Sequence, residues 1–514
     1  MVTEEIYGKY IKILKEELVP AMGCTEPIAI AYCAAKARDV LGAMPERAEI
    51  AVSGNIVKNA KSVVVPHTGG MRGIKAAFAV GILAGKADNG LQVISDVNER
   101  EYASIKRFSD EFPAEISVPS DAEIFDISVR LYRGGDTAYV RIAGDHTNIV
   151  KTERNGRVLL QKPIISAEKS DRTVLNVEDI IAFADTVNVD DVRDVIGRQI
   201  EYNMAIAEEG LRGDYGANIG KTLLRSYQPD IKTTAKAYAA AGSDARMNGC
   251  ELPVVINSGS GNQGITCSVP VVVYARRLGL PEDRLYRALC VSNLVTVHLK
   301  FGIGTLSAYC GVVSAGAGAA CGITYLLGGN YCDVAHTLTN ALAIDSGIIC
   351  DGAKASCAAK IATAVESGLL GMCMYEKGNE FFAGDGIVKK GVEETIRSVS
   401  RLAHDGMRET EKKIKKKRLK IRKGGGNMAV LRKGAARWQN FAGGRLNFNA
   451  LQLVVLAYVR SIFVNGRHNR PWREFFYAFI TLICAVFLQL SATLMMAAVS
   501  AWHAARGLPP ENIE

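Results

Sequence analysis

The pattern of apolar and polar positions divides the 514-residue chain into a mixed first part and a helical second part. Residues 4–19 repeat apolar side chains at helical spacing, and the Ala-rich apolar run at 28–43 is typical of a buried helix. Shorter alternating runs follow, and the last two of them are joined through a Gly-Gly-Asp turn, which predicts a hairpin. The strand predictions cover residues 48–54, 61–70, 114–120, 126–134 and 137–144.

From about residue 175 the periodicity becomes helical, beginning with the start signal in NVEDIIAFADTV. Segments rich in Ala, Gly, Leu and Cys then recur through residue 373, with few strand signals beyond LPVVIN. Segments without a polar face are typical of helices buried in a compact domain. The sequence therefore predicts an α+β fold, with an α/β substrate-binding part at 1–170 and a mostly helical domain at 171–411.

The composition changes again after residue 411. A basic run leads into three consecutive glycines, which predicts a linker at 412–427 and an appended basic, apolar tail at 428–514. Within that tail, residues 475–502 carry no charge and are numerous enough to span a bilayer, with arginines on the N-terminal, cytoplasmic side. A buried amphipathic helix is the alternative for this stretch. The Ala/Gly-rich run at 308–329 is also about the length of a membrane span, but small residues dominate it.

The net charge of +9 belongs to the tail, since the main body is mildly acidic. A whole-chain basic balance is therefore no argument for nucleic acid as a partner. The N-terminus lacks the apolar core of a signal peptide, so we expect a cytoplasmic body, tethered to a membrane if residues 475–502 span one. The twelve cysteines are then expected to stay reduced, as core residues, catalytic thiols or metal ligands.

Three cysteines stand in Gly- and Ala-rich segments: Cys310, Cys350 and Cys357. Their spacing matches neither a zinc ribbon nor the ferredoxin run, and spacing alone favours buried apolar thiols. Glycine-rich turns beside them would nevertheless give backbone N–H groups access to the sulfurs of a cluster. Three ligands instead of four would leave one iron open to substrate.

A second candidate is the loop in VVINSGSGNQGIT, where a strand leads through small polar residues into a helix. Backbone amides and side-chain donors at a helix N-terminus favour an anion, either a carboxylate or a phosphate, and a plain tight turn is the alternative. The stretch SGNIVKNAKSVVVPHTGG echoes it in the first part of the chain, and His146 stands in another such loop. The predicted substrate-binding residues are Ser258, Ser260, Asn262, Gln263, Ser53, Asn55, His67 and Thr68.

The stretch PAMGCTEP places Cys24 at a predicted helix N-terminus, where the helix dipole lowers the pKa of a thiol, with Glu26 beside it. A reactive thiol and a buried cap cysteine fit this position equally well. Lys354, between Cys350 and Cys357, could pair with substrate or with the charge of a cluster.

Taken together, VPAMGCTEPIAIAY, SGNIVKNAKSVVVPHTGG, NSGSGNQGI, SAYCGVVSAGAGAACGI and GIICDGAKASCAAKI resemble the L-cysteine desulfidase family, over about residues 5–410. The helical half is also similar to the α region of iron–sulfur L-serine dehydratases. In those enzymes three cysteines hold a [4Fe-4S] cluster, two far apart in sequence and the third soon after the second. Cys310, Cys350 and Cys357 match that arrangement, and the tail matches nothing in either family.

The resemblance implies β-elimination of L-cysteine to sulfide, ammonia and pyruvate, with the substrate carboxylate in the 258–264 loop. It implies a small amino acid as partner, a homo-oligomer, and catalytic roles for Cys24, Glu26 and Lys354, with the Cys24 thiolate as the base. Cys24 could instead replace Cys357 as the third cluster ligand. The alternatives are an L-serine dehydratase with the same cluster, a pyridoxal-phosphate lyase, and a membrane protein that forms a small-molecule path.

Overall fold

A computed structural model describes residues 2–164, 170–228, 230–304 and 306–420. These residues belong to one compact unit, which covers residues 1–423. The predicted tail at 428–514, with its membrane helix at 475–502, lies outside the described residues. Residues 412–420, which fall in the predicted linker, continue a helix.

The fold is mixed α/β and predominantly helical. The strands are β1 (Pro20–Met22), β2 (Arg47–Val52), β3 (Ala114–Ser117), β4 (Asp126–Arg133), β5 (Asp136–Ala143), β6 (Ile149–Arg154), β7 (Arg157–Gln161) and β8 (Pro253–Val255). The helices of the first part are α1 (Glu4–Glu17), α2 (Thr25–Leu41), α3 (Gly54–Ala60), α4 (Gly73–Ala84) and α5 (Tyr102–Glu111). Those that follow are α6 (Val177–Thr186), α7 (Arg193–Arg212), α8 (Ile219–Ser226), α9 (Ile231–Met247), α10 (Gly261–Leu278), α11 (Glu282–Ile303), α12 (Val312–Leu326), α13 (Tyr331–Ile344), α14 (Cys357–Glu376), α15 (Val392–Arg401) and α16 (Arg408–Lys420).

Six strands form one sheet in the order β3-β2-β4-β5-β6-β7, in which only the β2–β3 pair is parallel. Helix α2 packs on β4, β5 and α4, which explains why most of its residues are apolar and buried. The predicted hairpin is confirmed, with Arg133 paired to Asp136 at its turn. The predicted strand at 61–70 is wrong. Its Val-rich run is cut by Pro66 and by left-handed backbone at His67, so a single bridge from Val64 to Arg72 remains.

The helical part packs around α12, which lies against α10, α11 and α14. Its small residues allow close contact, because a Cβ at Gly368 of α14 would stand 2.7 Å from the Gly316 carbonyl oxygen of α12. Strand β1 pairs with β8 of this part, Pro20 opposite Val255. Since β1 leads into α2 and β8 leads into α10, this pairing brings the N-termini of the two helices together.

Among the described helices, α14 alone is long and apolar enough, by length and composition, to cross a membrane. Half of its most apolar stretch is buried inside the protein, and it packs against α9, α12 and α13. A core helix of a folded domain meets the same criteria, so this finding carries little weight for the membrane alternative. The Ala/Gly-rich run at 308–329 contains α12, which is shorter.

Candidate active site

A cavity of about 1400 Å³ lies where the N-termini of α2 and α10 meet the cysteine-bearing segments of the helical part. Its wall carries residues from both the sheet-containing part and the helical part. Nine of the predicted site residues line it: Cys24, Glu26, Ser258, Ser260, Asn262, Gln263, Cys310, Cys350 and Cys357.

Two of the three predicted ligand cysteines are hydrogen-bonding partners. The segments that carry Cys310 and Cys350 pair through a bridge between Tyr309 and Ile349, which brings together residues far apart in sequence. The hydrogen bond between the two thiols lowers the pKa of Cys350, with help from Lys58, and raises that of Cys310. Burial raises the pKa of Cys357, which begins α14 on the same wall.

Three lysines face these thiols. Lys58 is fully buried on α3, and its Nζ donates to the Leu306 carbonyl at 3.4 Å and stands 3.6 Å from the Glu411 carboxylate. Lys300 donates to the Gly304 carbonyl, and desolvation lowers its pKa to about 8. Lys360 donates to the Ile349 carbonyl at 2.6 Å. Lys360 also pairs with Asp351 at 2.8 Å. Lys58 and Lys360 both act to lower the pKa of Cys350, as expected for positive charge beside a thiol.

The donor set fits an iron–sulfur cluster. Across the described ranges, no three His, Cys, Asp or Glu side chains are grouped as the ligands of one metal ion. A cluster of several irons takes its thiolates on different iron atoms, so its cysteines need not converge on one point. Three thiols on one wall, faced by three lysines that offset a cluster's negative charge, meet that requirement.

The loop before α10 lies beside the thiols. Ser258 and Gly259 both have left-handed backbone, and Ser260 caps the helix by accepting a hydrogen bond from the Gln263 amide. A Cβ at Gly259 would stand 2.9 Å from Cε1 of His146, so only glycine lets the loop pack under that ring. The Gln263 side chain lies against Gly311, the residue after Cys310, where a Cβ would stand 2.5 Å from its Cδ. The polar loop and the cysteine segment are therefore direct neighbours.

Cys24 occupies the N-cap position of α2, and its thiol donates a hydrogen bond to Glu26 Oε2 at 3.1 Å. Burial and the adjacent carboxylate raise the pKa of Cys24 well above its ordinary value, which corrects the prediction of a thiol with a lowered pKa. Burial also acts to raise the pKa of Glu26, but His146, Cys24 and Asn59 outweigh it and the net pKa is lowered. The pair therefore carries its negative charge on Glu26. Cys24 also packs in one small cluster with Cys357, so the two remain alternatives as third ligand.

The other predicted residues do not line the cavity. The Ser53 hydroxyl and the Asn55 amide both donate to the Ile124 carbonyl, and Ser53 caps α3. Thr68 donates to the Val65 carbonyl, and His67 faces Glu251 at 3.6 Å. Lys354 pairs with Asp351 and donates to the Gly352 carbonyl. These contacts give the residues structural partners, and of those partners only Gly352 lines the cavity.

The cavity also presents polar residues that the sequence did not single out, Arg246, Tyr309 and Lys300 among them. Lys58 and Asn59 also line it, and the sequence places both of them close behind Ser53 and Asn55 in the SGNIVKNAKSVVV stretch. Arg246 has no local signal, because it reaches the cavity only through the packing of α9 on α10.

Comparison with known proteins identifies the family to which this chain belongs. The family model for the serine dehydratase alpha chain matches residues 88–415. A UPF0597 protein of Desulfitobacterium hafniense is 55% identical over 414 residues, 80% of this chain and 96% of that protein. UPF0597 proteins of Lachnoclostridium phytofermentans and Treponema denticola are 49% and 47% identical, over 80% and 79% of this chain and 99% and 97% of their own. The chain therefore belongs to the serine dehydratase alpha chain family, together with these UPF0597 proteins.

Proposed function

We propose that this protein is a [4Fe-4S]-dependent L-cysteine desulfidase, which eliminates sulfide from L-cysteine. Membership of the family indicates a serine dehydratase-type function and hence a lyase. The observation that carries the finer proposal is the wall where Cys310, Cys350 and Cys357 face three lysines beside the N-terminus of α10. Thiols faced by lysines, next to a helix N-terminus, suit an iron–sulfur cluster and the carboxylate of a small amino acid.

Cys310, Cys350 and Cys357 would hold the cluster, and Lys58, Lys300 and Lys360 would offset its negative charge. When bound, such a cluster supplies a Lewis acid that makes the substrate sulfur a better leaving group.

The loop before α10 orients the substrate. Its backbone amides and the Ser260 cap form a donor-rich end that suits the α-carboxylate. Because Gln263 of the same turn lies against Gly311, an amino acid held there has its side chain within reach of the cysteine wall.

The Cys24–Glu26 pair takes the Cα proton. The pair holds one negative charge on Glu26, and its hydrogen bond allows a proton to pass from the thiol to the carboxylate while the thiol sulfur accepts one from Cα. The Cα–H electron pair then forms the Cα–Cβ double bond, and the Cβ–S bond breaks to release sulfide. The aminoacrylate product tautomerises and takes up water to give pyruvate and ammonia.

L-serine is the second candidate substrate, because the matching family model describes a serine dehydratase chain. The same residues would then release water in place of sulfide. A direct comparison of sulfide release from L-cysteine with pyruvate release from L-serine, on one preparation, separates the two functions.

The deciding experiment uses the full chain, purified and reconstituted without oxygen. We expect iron and acid-labile sulfide in the protein, broad visible absorbance lost in air, and equal amounts of sulfide, pyruvate and ammonia from L-cysteine. A pyridoxal absorbance band, or sulfide release that persists after complete removal of iron, would contradict the proposal.

A further inference from the structure

The side chain of Arg246 is a buried cation without a matching anion. It is 2% exposed on the last turn of α9, and its Nη1 donates to Asn262 Oδ1 at 3.0 Å. Its Nε has no hydrogen-bond partner in the described part of the chain, and no carboxylate there forms an ion pair with it. Buried charges in folded proteins are almost always paired, so the absent partner points to an anionic ligand.

The position of Arg246 strengthens this inference. A Cβ at Gly261 would overlap the Arg246 Nε, so the guanidinium lies directly on the first residue of α10. The N-terminus of a helix carries partial positive charge and repels a cation. An anion that contacts the guanidinium and the backbone amides of α10 side by side would satisfy both groups. Both border the cavity, so such an anion can enter from it.

A complementary group lies across the Cys24–Glu26 pair. Asn59 is 6% exposed and its Nδ2 donates to Glu26 Oε1 at 2.7 Å, which fixes the orientation of its amide. Its Oδ1 is consequently an acceptor, and it has no partner among the residues that the structure describes. An acceptor oxygen next to a carboxylate suits a ligand ammonium.

We infer that Arg246 binds the α-carboxylate and Asn59 Oδ1 the α-ammonium of an amino acid zwitterion, one on each side of the Cys24–Glu26 pair. The inference rests on the proposed amino acid substrate and goes beyond it by naming the two groups that recognise the zwitterion. Arg246 reaches Cys24 electrostatically, and Cys24 and Asn59 both donate to Glu26, so the four residues form one continuous wall. The arrangement places Cα opposite the pair that takes its proton.

The test is calorimetric binding of three probes without a leaving group to the full chain: L-alanine, L-alaninamide and propionate. Wild-type protein should bind L-alanine at least about tenfold more tightly than L-alaninamide, which lacks the carboxylate charge. Arg246→Gln should weaken L-alanine and propionate about tenfold or more and leave L-alaninamide little changed. Asn59→Ala should weaken L-alanine but not propionate. Arg276→Gln, on the exposed end of α10, is the matched control and should change none of them.

Unchanged binding of L-alanine and propionate to Arg246→Gln overturns the inference, as does wild-type protein that binds L-alanine no better than L-alaninamide. The wild-type comparison decides alone if Arg246→Gln does not fold. Sulfide release is measured separately on the same samples. Arg246-dependent binding of L-alanine without sulfide release would reject the desulfidase and keep the zwitterion site. Normal sulfide release by Arg246→Gln would reject the zwitterion site and keep the desulfidase.

Discussion

The Cys24 thiol and the Glu26 carboxylate share a hydrogen bond of 3.1 Å, from Sγ to Oε2, inside the wall of the cavity. The two side chains are 3% and 7% exposed, so little water competes for the proton between them. Because the pKa of Glu26 is lowered and that of Cys24 raised, the negative charge lies on the carboxylate. The base is therefore the pair, and neither residue alone.

Glu26→Gln should lower kcat for sulfide release by about a hundredfold or more, since it removes the charge that accepts the proton. Cys24→Ser should cost less, because a hydroxyl can still pass a proton to Glu26. Glu208→Gln, at an exposed position, is the control and should behave as wild type. Steady-state kinetics at equal iron content is the measurement, and a Glu26→Gln enzyme within twofold of wild type would exclude the pair as base.

The raised pKa of Cys24 also predicts its reactivity. A thiol is nucleophilic only as thiolate, so below its raised pKa Cys24 should remain protonated and unreactive. We expect iodoacetamide at pH 8 to modify the exposed Cys332 well before Cys24, as measured by peptide mass spectrometry over time. Modification of Cys24 at the rate of Cys332 would show that the Cys24 thiol is neither buried nor protonated.

Replacing Cys310, Cys350 or Cys357 singly with Ala should abolish iron retention, because each thiolate would hold one iron of the cluster. Cys321→Ala is the matched control, since Cys321 is a fully buried free thiol in α12 that does not line the cavity. Iron and acid-labile sulfide per chain are the measurements.

If Cys357→Ala keeps its full iron content, the third ligand is not Cys357. Cys24→Ala is then the informative variant, because Cys24 packs in the same small cluster as Cys357. Loss of iron in that variant would assign the third position to Cys24 and remove it from the proposed base.

Gly259→Ala should lower the melting temperature more than Gly134→Ala. Both glycines have left-handed backbone, which costs an alanine about 1–2 kcal/mol. The added methyl group at Gly134 meets open space, whereas at Gly259 it meets the His146 ring. The difference between the two variants, measured by thermal unfolding, isolates that contact. Equal shifts would mean that the loop before α10 adjusts freely to His146.

Local sequence patterns predicted the elements whose stability is decided locally or by one buried face. The α1 helix and the β4–β5 hairpin are confirmed because apolar spacing and turn residues agree there with the tertiary fold. The Val-rich run at 61–70 met the propensity for a strand, but Pro66 and the backbone at His67 prevent pairing. Strands β6 and β7 were not predicted, because charged residues interrupt the alternation of apolar and polar positions in both of them.

The site shows the same division. The loop before α10 and the three cysteines could be predicted, since Gly-rich motifs and a family resemblance are properties of the chain itself. The contact of Arg246 with Gly261 could not be predicted, because it depends on how α9 packs against the start of α10. The pKa of Cys24 was predicted in the wrong direction for the same reason. Its position at a helix N-terminus is local, but the burial and the Glu26 carboxylate that outweigh the dipole arise on folding.

The chain truncated after Lys423 should fold and stay soluble without detergent, because residues 1–423 form one compact unit. Three UPF0597 relatives are matched over 96% to 99% of their own length by 413 to 417 residues of this chain, about as many as that unit contains. A chain truncated after Met407 is the matched comparison. It loses α16 and with it Glu411, which faces the buried Lys58, at a cost of about 1–3 kcal/mol. Urea unfolding and iron content of the two truncated chains are the measurements. If the chain ending at Lys423 required detergent, the result would support the membrane-protein alternative and contradict the enzyme proposal.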